Sequence, residues 1–169
     1  LQHVDIVIAN EEDAASVLGI HAADTDVEAG KLAIDSYPEV ARKIVEQCGN
    51  VSMVAITLRE SISASHNNWG AMLYDAASDQ PAFAPLDSDG NYRSYEIRNI
   101  VDRVGGGDAF AGGLIFALTT PELSDPQTAV KYGVAASCLK HSIKGDCNYS
   151  TRAEVESLMG GSASGRVVR

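Results

Sequence analysis

This chain is poor in cysteine, in aromatic residues and in positive charge, and it has no long apolar run. Its three cysteines, Cys48, Cys138 and Cys147, are an odd number at unrelated spacings. That excludes a disulfide framework or a cysteine zinc site and points to reduced thiols in a cytoplasmic setting. The four histidines, His3, His21, His66 and His141, fall at no metal-ligand spacing and read as surface or packing residues. Lysine and arginine number 13 against 23 acids, a net charge of −10. Such a field attracts neither nucleic acid nor an anionic membrane, and neither is expected as a partner. No stretch approaches the about 18 apolar residues that cross a bilayer. The start, Leu1-Gln2-His3-Val4-Asp5, has no basic region followed by an apolar signal core. It also lacks an initiator methionine, which fits a piece of a longer chain.

What is present is ordinary globular material. The 169 residues are 45% apolar and 21% charged, one domain's worth of chain. Val4–Ala9 reads as a buried strand that delivers Asn10 to a sheet edge, and Ala14–Leu18 as a helix closed by Gly19. Asp24–Asp35 is expected to be helical. Pro38 opens a helix through Gln47, and Ser52–Leu58 is a second buried strand ending at Thr57 and Arg59. Ser61–His66, Trp69–Tyr74, Pro81–Pro85 and Tyr92–Ile97 read as antiparallel segments. The turns between them fall at Asn67-Asn68, Ser78-Asp79 and Asp89-Gly90-Asn91. Three helices follow, over 108–118, 125–142 and 151–159, and residues 160–169 form a loose Gly/Ser tail. The order predicts one α/β domain over residues 1–159, with helices packed on a mixed sheet and ligands at the strand ends.

The richest stretch is Asp102-Arg103-Val104-Gly105-Gly106-Gly107-Asp108-Ala109-Phe110. Three glycines let backbone N–H groups converge on one point. The amino end of the following helix adds unpaired donors and positive dipole, which suits phosphate. Asp108, in the first turn, is placed to take a proton from an attacking hydroxyl. The same glycines also suit a plain flexible loop, and both readings stand on the triplet alone. A Walker A loop is excluded because no lysine follows, and a dinucleotide fingerprint because Phe110 stands where a glycine is required.

The wider stretch resembles the signature Asp-Thr-x-Gly-Ala-Gly-Asp-x-Phe of ribokinase-like (PfkB) carbohydrate kinases, with Arg103 for threonine and Gly106 for alanine. The Asp-Arg-x-Gly-Gly-Gly-Asp form is similar to that of 2-keto-3-deoxygluconate kinases. So are the segments from Thr57 to Ala64 and from Leu139 to Asp146. The resemblance covers nearly the whole chain but only the carboxyl-terminal, nucleotide-binding half of such a kinase. It implies a three-layer α/β/α fold and ATP-dependent phosphorylation of a sugar-acid hydroxyl. Kinases of fructose or ribose are the alternative within the same reaction class, and a catalytically silent nucleotide-binding domain left by truncation is the alternative of a different class.

The resemblance implies residue roles as well. Asp108 is the base and Gly105, Gly106 and Gly107 the anion hole. Thr57 and Arg59 lie where family members touch the nucleotide phosphates, and Val134 on the helix that flanks the adenine. Asn10 to Asp13 resembles an Asn-x-x-Glu motif that organises Mg2+-bound water, with Asp13 for Glu; the same pair also suits a helix cap. Asp102 matches a residue that helps hold a monovalent cation, K+, in some members. Arg59 reads equally as a phosphate partner or a solvated arginine, and Arg103 is a further candidate for charge neutralisation. The implied partners are a nucleotide and a small sugar acid; a second copy of the chain is an expectation from the strand edge that a sheet cut from a larger domain would expose at Val4–Ala9.

Overall fold

The computed structural model describes residues 3–20 and 34–160. The segments expected to be helical over 24–33 and loose over 161–169 lie outside the described residues. The chain opens with strand β1 (Ile6–Asn10) and helix α1 (Glu11–Leu18), which Gly19 closes in the left-handed conformation at φ 68. A 3-10 turn (Ile34–Ser36) leads into α2 (Tyr37–Cys48). Strands β2 (Met53–Ser63), β3 (His66–Asp75), β4 (Gln80–Ala84) and β5 (Tyr95–Arg98) follow. Helices α3 (Gly106–Leu118), α4 (Pro126–Lys140) and α5 (Arg152–Met159) complete the fold.

The sheet is mixed. β1 runs parallel to β2, and β3 runs antiparallel to β2 along its length. On the other side of β3, β4 pairs with residues 71–75 and β5 with residues 66–69. Among the described residues β1 is an edge strand, with β2 on one side only.

Strand alternation sorts the core into two layers. Val54, Ile56, Leu58, Met72 and Tyr74 face Ala14, Tyr37, Val40, Ala41 and Ile44 of α1 and α2. Ala55, Ala71 and Leu73 face the opposite way, onto Phe110, Leu114, Val130, Val134 and Val155 of α3, α4 and α5. The result is the expected three-layer α/β/α arrangement. Helices α3 and α4 approach closely because a glycine from each helix stands at the contact. A Cβ on Gly133 would come within 3.1 Å of the Phe110 ring, and one on Gly113 within 2.9 Å of the Ala136 methyl.

Two expectations about the hairpins are corrected. β2 does not end at Leu58 but continues through Ser63, so Thr57 and Arg59 lie inside it. Asn67 and Asn68 are not a turn; they sit in β3, opposite Ser61 and Glu60, and the chain reverses at residues 64–65. Their side chains explain this. The Asn68 amide donates to the Glu60 carboxylate at 2.7 Å, and buried Asn67 accepts from Arg103 at 3.1 Å. Asparagines whose side chains have partners distant in sequence have no need of the local backbone bonds that draw them into turns.

Candidate active site

The glycine triplet forms the entry to α3. Gly105 is the N-cap, in the left-handed conformation at φ 79, and a Cβ there would collide with the Asp146 backbone carbonyl. Only glycine meets both demands. The Gly106 N–H turns back to the Arg103 carbonyl at 3.3 Å, and its own carbonyl accepts from the buried Ser137 hydroxyl at 2.7 Å. Among the described residues, no protein acceptor takes the N–H of Gly107 or Asp108. These two are the open donors of the helix start. A Cβ on Gly107 would meet nothing within 4 Å, so the space beside it is clear. Asp108 is the third residue of α3 and is exposed beside these donors.

The segment after α4 backs this loop. The His141 carbonyl accepts from the Val101 N–H at 2.9 Å, and the His141 ring lies against Gly106. Asp102 accepts from the N–H of Val104 at 3.0 Å through one carboxylate oxygen and from that of Gly145 at 2.9 Å through the other. These bonds, Val104 first, hold its carboxyl below the usual carboxylate range.

His141 is 3% exposed and packs against the Trp69 ring, centroids 5.1 Å apart and planes tilted by 59°. Its Nδ1 donates to the Ser137 carbonyl at 2.8 Å, which leaves Nε2 as the acceptor in the neutral ring. Burial, above all, and the neighbouring charges of Lys140, Arg103 and Arg59 hold its pKa below the usual histidine range. The positive charges of Lys140, Arg103 and Arg59 thus all bear on the ring that backs Gly106.

The other candidates divide. Asn10 and Thr57 are cross-strand partners at the end of β1. Arg59 follows Thr57 by two residues on the same sheet face as Ala55, the face toward α3 and α4. It is exposed, opposite Trp69 on β3. Arg103 points elsewhere: its guanidinium donates to the Ser63 carbonyl and to the Asn67 side chain. It fastens the glycine loop to the tip of the β2–β3 hairpin. Val134 is 0% exposed and packed in the core between α4 and the sheet.

Asn10 caps α1. Its side-chain oxygen accepts from the Asp13 N–H at 2.8 Å, and Asp13 returns the bond to the Asn10 N–H at 3.1 Å. This reciprocal cap takes one oxygen of each residue and leaves the second Asp13 carboxylate oxygen outside it. Among the described residues no group of three or more His, Cys, Asp or Glu side chains is placed to hold a metal. The donor set fits a hydrated ion reached through water, and does not fit a protein cage. All three cysteines are free, and among the described residues no helix is long and apolar enough to cross a membrane.

Sequence reasoning passed over Lys140, Ser137 and Asn67. The signal for Lys140 was a charged residue ending a helix that is apolar on most sides.

No protein-family model matches the chain. Its solved neighbours are ribokinase-like (PfkB) carbohydrate kinases, and the chain shares their fold. Among them is the 2-dehydro-3-deoxygluconokinase of Thermotoga maritima. The chain is 39% identical to it with a TM-score of 0.77, over 95% of this chain and 43% of that one. A PfkB family carbohydrate kinase from Listeria grayi is 27% identical with a TM-score of 0.72, over 94% and 42%. Among curated proteins, the 2-dehydro-3-deoxygalactonokinase of Haloferax volcanii is 26% identical over 162 residues, 96% of this chain and 40% of that one. The chain thus spans less than half the length of the relatives it matches.

Proposed function

We propose that this chain is the nucleotide-binding, carboxyl-terminal part of a sugar-acid kinase that transfers the γ-phosphoryl group of ATP to a hydroxyl of 2-keto-3-deoxygluconate (2-dehydro-3-deoxygluconate). The observation that carries the reading is the start of α3. There the open N–H groups of Gly107 and Asp108 stand beside the exposed Asp108 carboxylate. Phosphoryl transfer asks the protein for little else than position and charge stabilisation. The glycine loop and the α3 dipole hold the negative charge that spreads over the transferring oxygens. Asp108 accepts the hydroxyl proton as the new bond forms; a carboxylate is a weak base, but a late proton needs no stronger one.

Thr57 and Arg59 face the nucleotide phosphates from β2, and the Val134 region of α4 lies under the adenine. Asn10 and Asp13 would hold a nucleotide-borne Mg2+ through its water. That ion, when bound, neutralises phosphate charge. The names of the Thermotoga and Haloferax relatives favour a sugar acid over fructose or ribose as acceptor. Three free cysteines fit a reducing cytoplasm.

Two measurements test the reading. Calorimetric titration of this chain with MgATP is expected to show saturable binding, and none at millimolar ATP would end the nucleotide assignment. In the enzyme completed by its sugar-binding segment, coupled ADP release with a panel of sugar acids, fructose and ribose is expected to favour 2-keto-3-deoxygluconate.

A further inference from the structure

Lys140, the last residue of α4, is 0% exposed. Its Nζ donates to the Ile143 carbonyl at 3.1 Å, inside the segment that backs the glycine loop. Its charge bears on Asp102. Taking an ammonium out of water costs several kcal/mol unless oxygen ligands and an opposite charge replace the water. Here the oxygen ligand is the Ile143 carbonyl, and the Asp102 carboxylate, outside ion-pair distance, feels the charge across the same loop.

A carbonyl and a carboxylate are also what an alkali cation takes. The family resemblance gives Asp102 a part in holding K+, and the residues of this chain do not fit that ion. The Ile143 carbonyl accepts from Nζ and each Asp102 oxygen from a loop N–H, so a cation there would share every one of these oxygens with a donor, and the Lys140 ammonium already stands on one of them. A fixed positive charge is buried beside the place, and a second cation next to it would be repelled with little screening.

We propose that the Lys140 ammonium is this chain's built-in monovalent cation, a positioning group that holds the segment from His141 to Asp146 against the glycine loop without K+. That segment touches the loop at each point that matters. Asp146 lies behind Gly105, His141 behind Gly106, and Gly145 is bonded to Asp102. The consequence for nucleotide rests on the phosphate-site reading above, whereas the cation assignment is tested on its own by melting.

The experiment compares wild type, Lys140→Ala and Lys140→Met in tetramethylammonium buffer, with added KCl or choline chloride. Thermal melting and ATP titration are the readouts. Wild type is expected to respond to K+ no more than to choline, with less than about a twofold change in ATP affinity. Lys140→Ala, which opens space for an ion, is expected to bind ATP at least about tenfold more weakly and to melt lower; K+ restores both in a saturable way and choline does not. Lys140→Met fills the space with an uncharged chain. It is expected to fold, to bind ATP as weakly as Lys140→Ala, and to gain nothing from K+.

A wild type specifically stabilised by K+ would overturn the proposal, as would Lys140→Met with wild-type affinity or a Lys140→Ala indifferent to K+. If Lys140→Ala does not fold in either salt, Lys140→Met and wild type decide. If wild type binds no ATP, the nucleotide reading fails while the melting comparison still judges the cation.

Discussion

The His141 ring lies so close to Gly106 that a Cβ on the glycine would stand 3.2 Å from its Cε1. The two residues of the triplet that follow the cap therefore differ in kind. Gly106→Val would press a branched side chain onto a buried imidazole, an overpacking cost of about 1–3 kcal/mol. Gly107→Ala meets nothing within 4 Å and should melt like wild type. It should still weaken ATP binding, since its methyl enters the space where phosphate approaches the open N–H groups. Melting and ATP titration of the two variants check this. A Gly107→Ala that melts low but binds ATP normally would reverse the assignment.

His141 also sets a pH dependence. Its folded-state pKa lies below its ordinary value near 6.5, mainly through burial. As pH falls, the unfolded chain takes the proton first. The stability this neutral ring contributes is thus present above about pH 6.5 and is lost as pH falls from there toward the folded pKa. His141→Gln should flatten that part of the profile. Melting from about pH 7.5 to about pH 5 reads it, and an equal slope in both proteins would remove His141 as the cause.

Arg103 and Arg59 should separate by assay. Arg103→Ala strips a partner from the fully buried Asn67, a loss of about 1–3 kcal/mol, and should speed amide exchange at the β2–β3 turn. Arg59 is exposed and has no such tie, so Arg59→Ala should leave melting unchanged and lower ATP affinity. Equal melting losses in the two variants would show that Arg59 too is structural.

Asp108→Asn, in the complete enzyme, should lower kcat by orders of magnitude and leave the ATP dissociation constant nearly unchanged. The side chain acts on the acceptor hydroxyl, while the backbone N–H stays. Steady-state kinetics with isothermal titration would show it, and near-normal turnover would dismiss the carboxylate from the reaction.

Among the described residues β1 pairs on one side only, and its residues Ile6 to Ala9 are half-buried rather than enclosed. An apolar edge strand with unpaired backbone groups is a template for another strand. The chain by itself should therefore self-associate with concentration. Sedimentation velocity over a dilution series tests this, and a monomer at every concentration would refute it.

Much of this fold is legible from residue order. Apolar runs ending at Asn10, the Pro38 helix start and the stretch from Gly105 to Leu118 each carry a local signal that the structure repeats. What stayed hidden depends on partners distant in sequence. Asn67 and Asn68 carry turn chemistry on paper, yet Arg103 and Glu60 hold them in a strand. The reach of β2 to Ser63 comes from its pairing with β3, since its exposed residues show little apolar alternation. Lys140 reads as a helix-end charge, and only the packing of α4 puts it inside. The candidate site is legible through the glycine triplet, but that the Gly106 N–H is taken while those of Gly107 and Asp108 stay open depends on the Arg103 backbone carbonyl, which no spacing rule selects.

The parallel pairing of β1 with β2 has a kinetic side. Strands β2, β3 and β4 meet through short reversals, so their contacts close small loops. β1 reaches β2 only after the chain has passed through α1 and α2, a far larger loop that returns no contacts until it is shut. The meander is the natural nucleus, and the first strand of the chain joins late. Lost packing in β1 will then appear almost wholly as faster unfolding, with the refolding rate left to the hairpins.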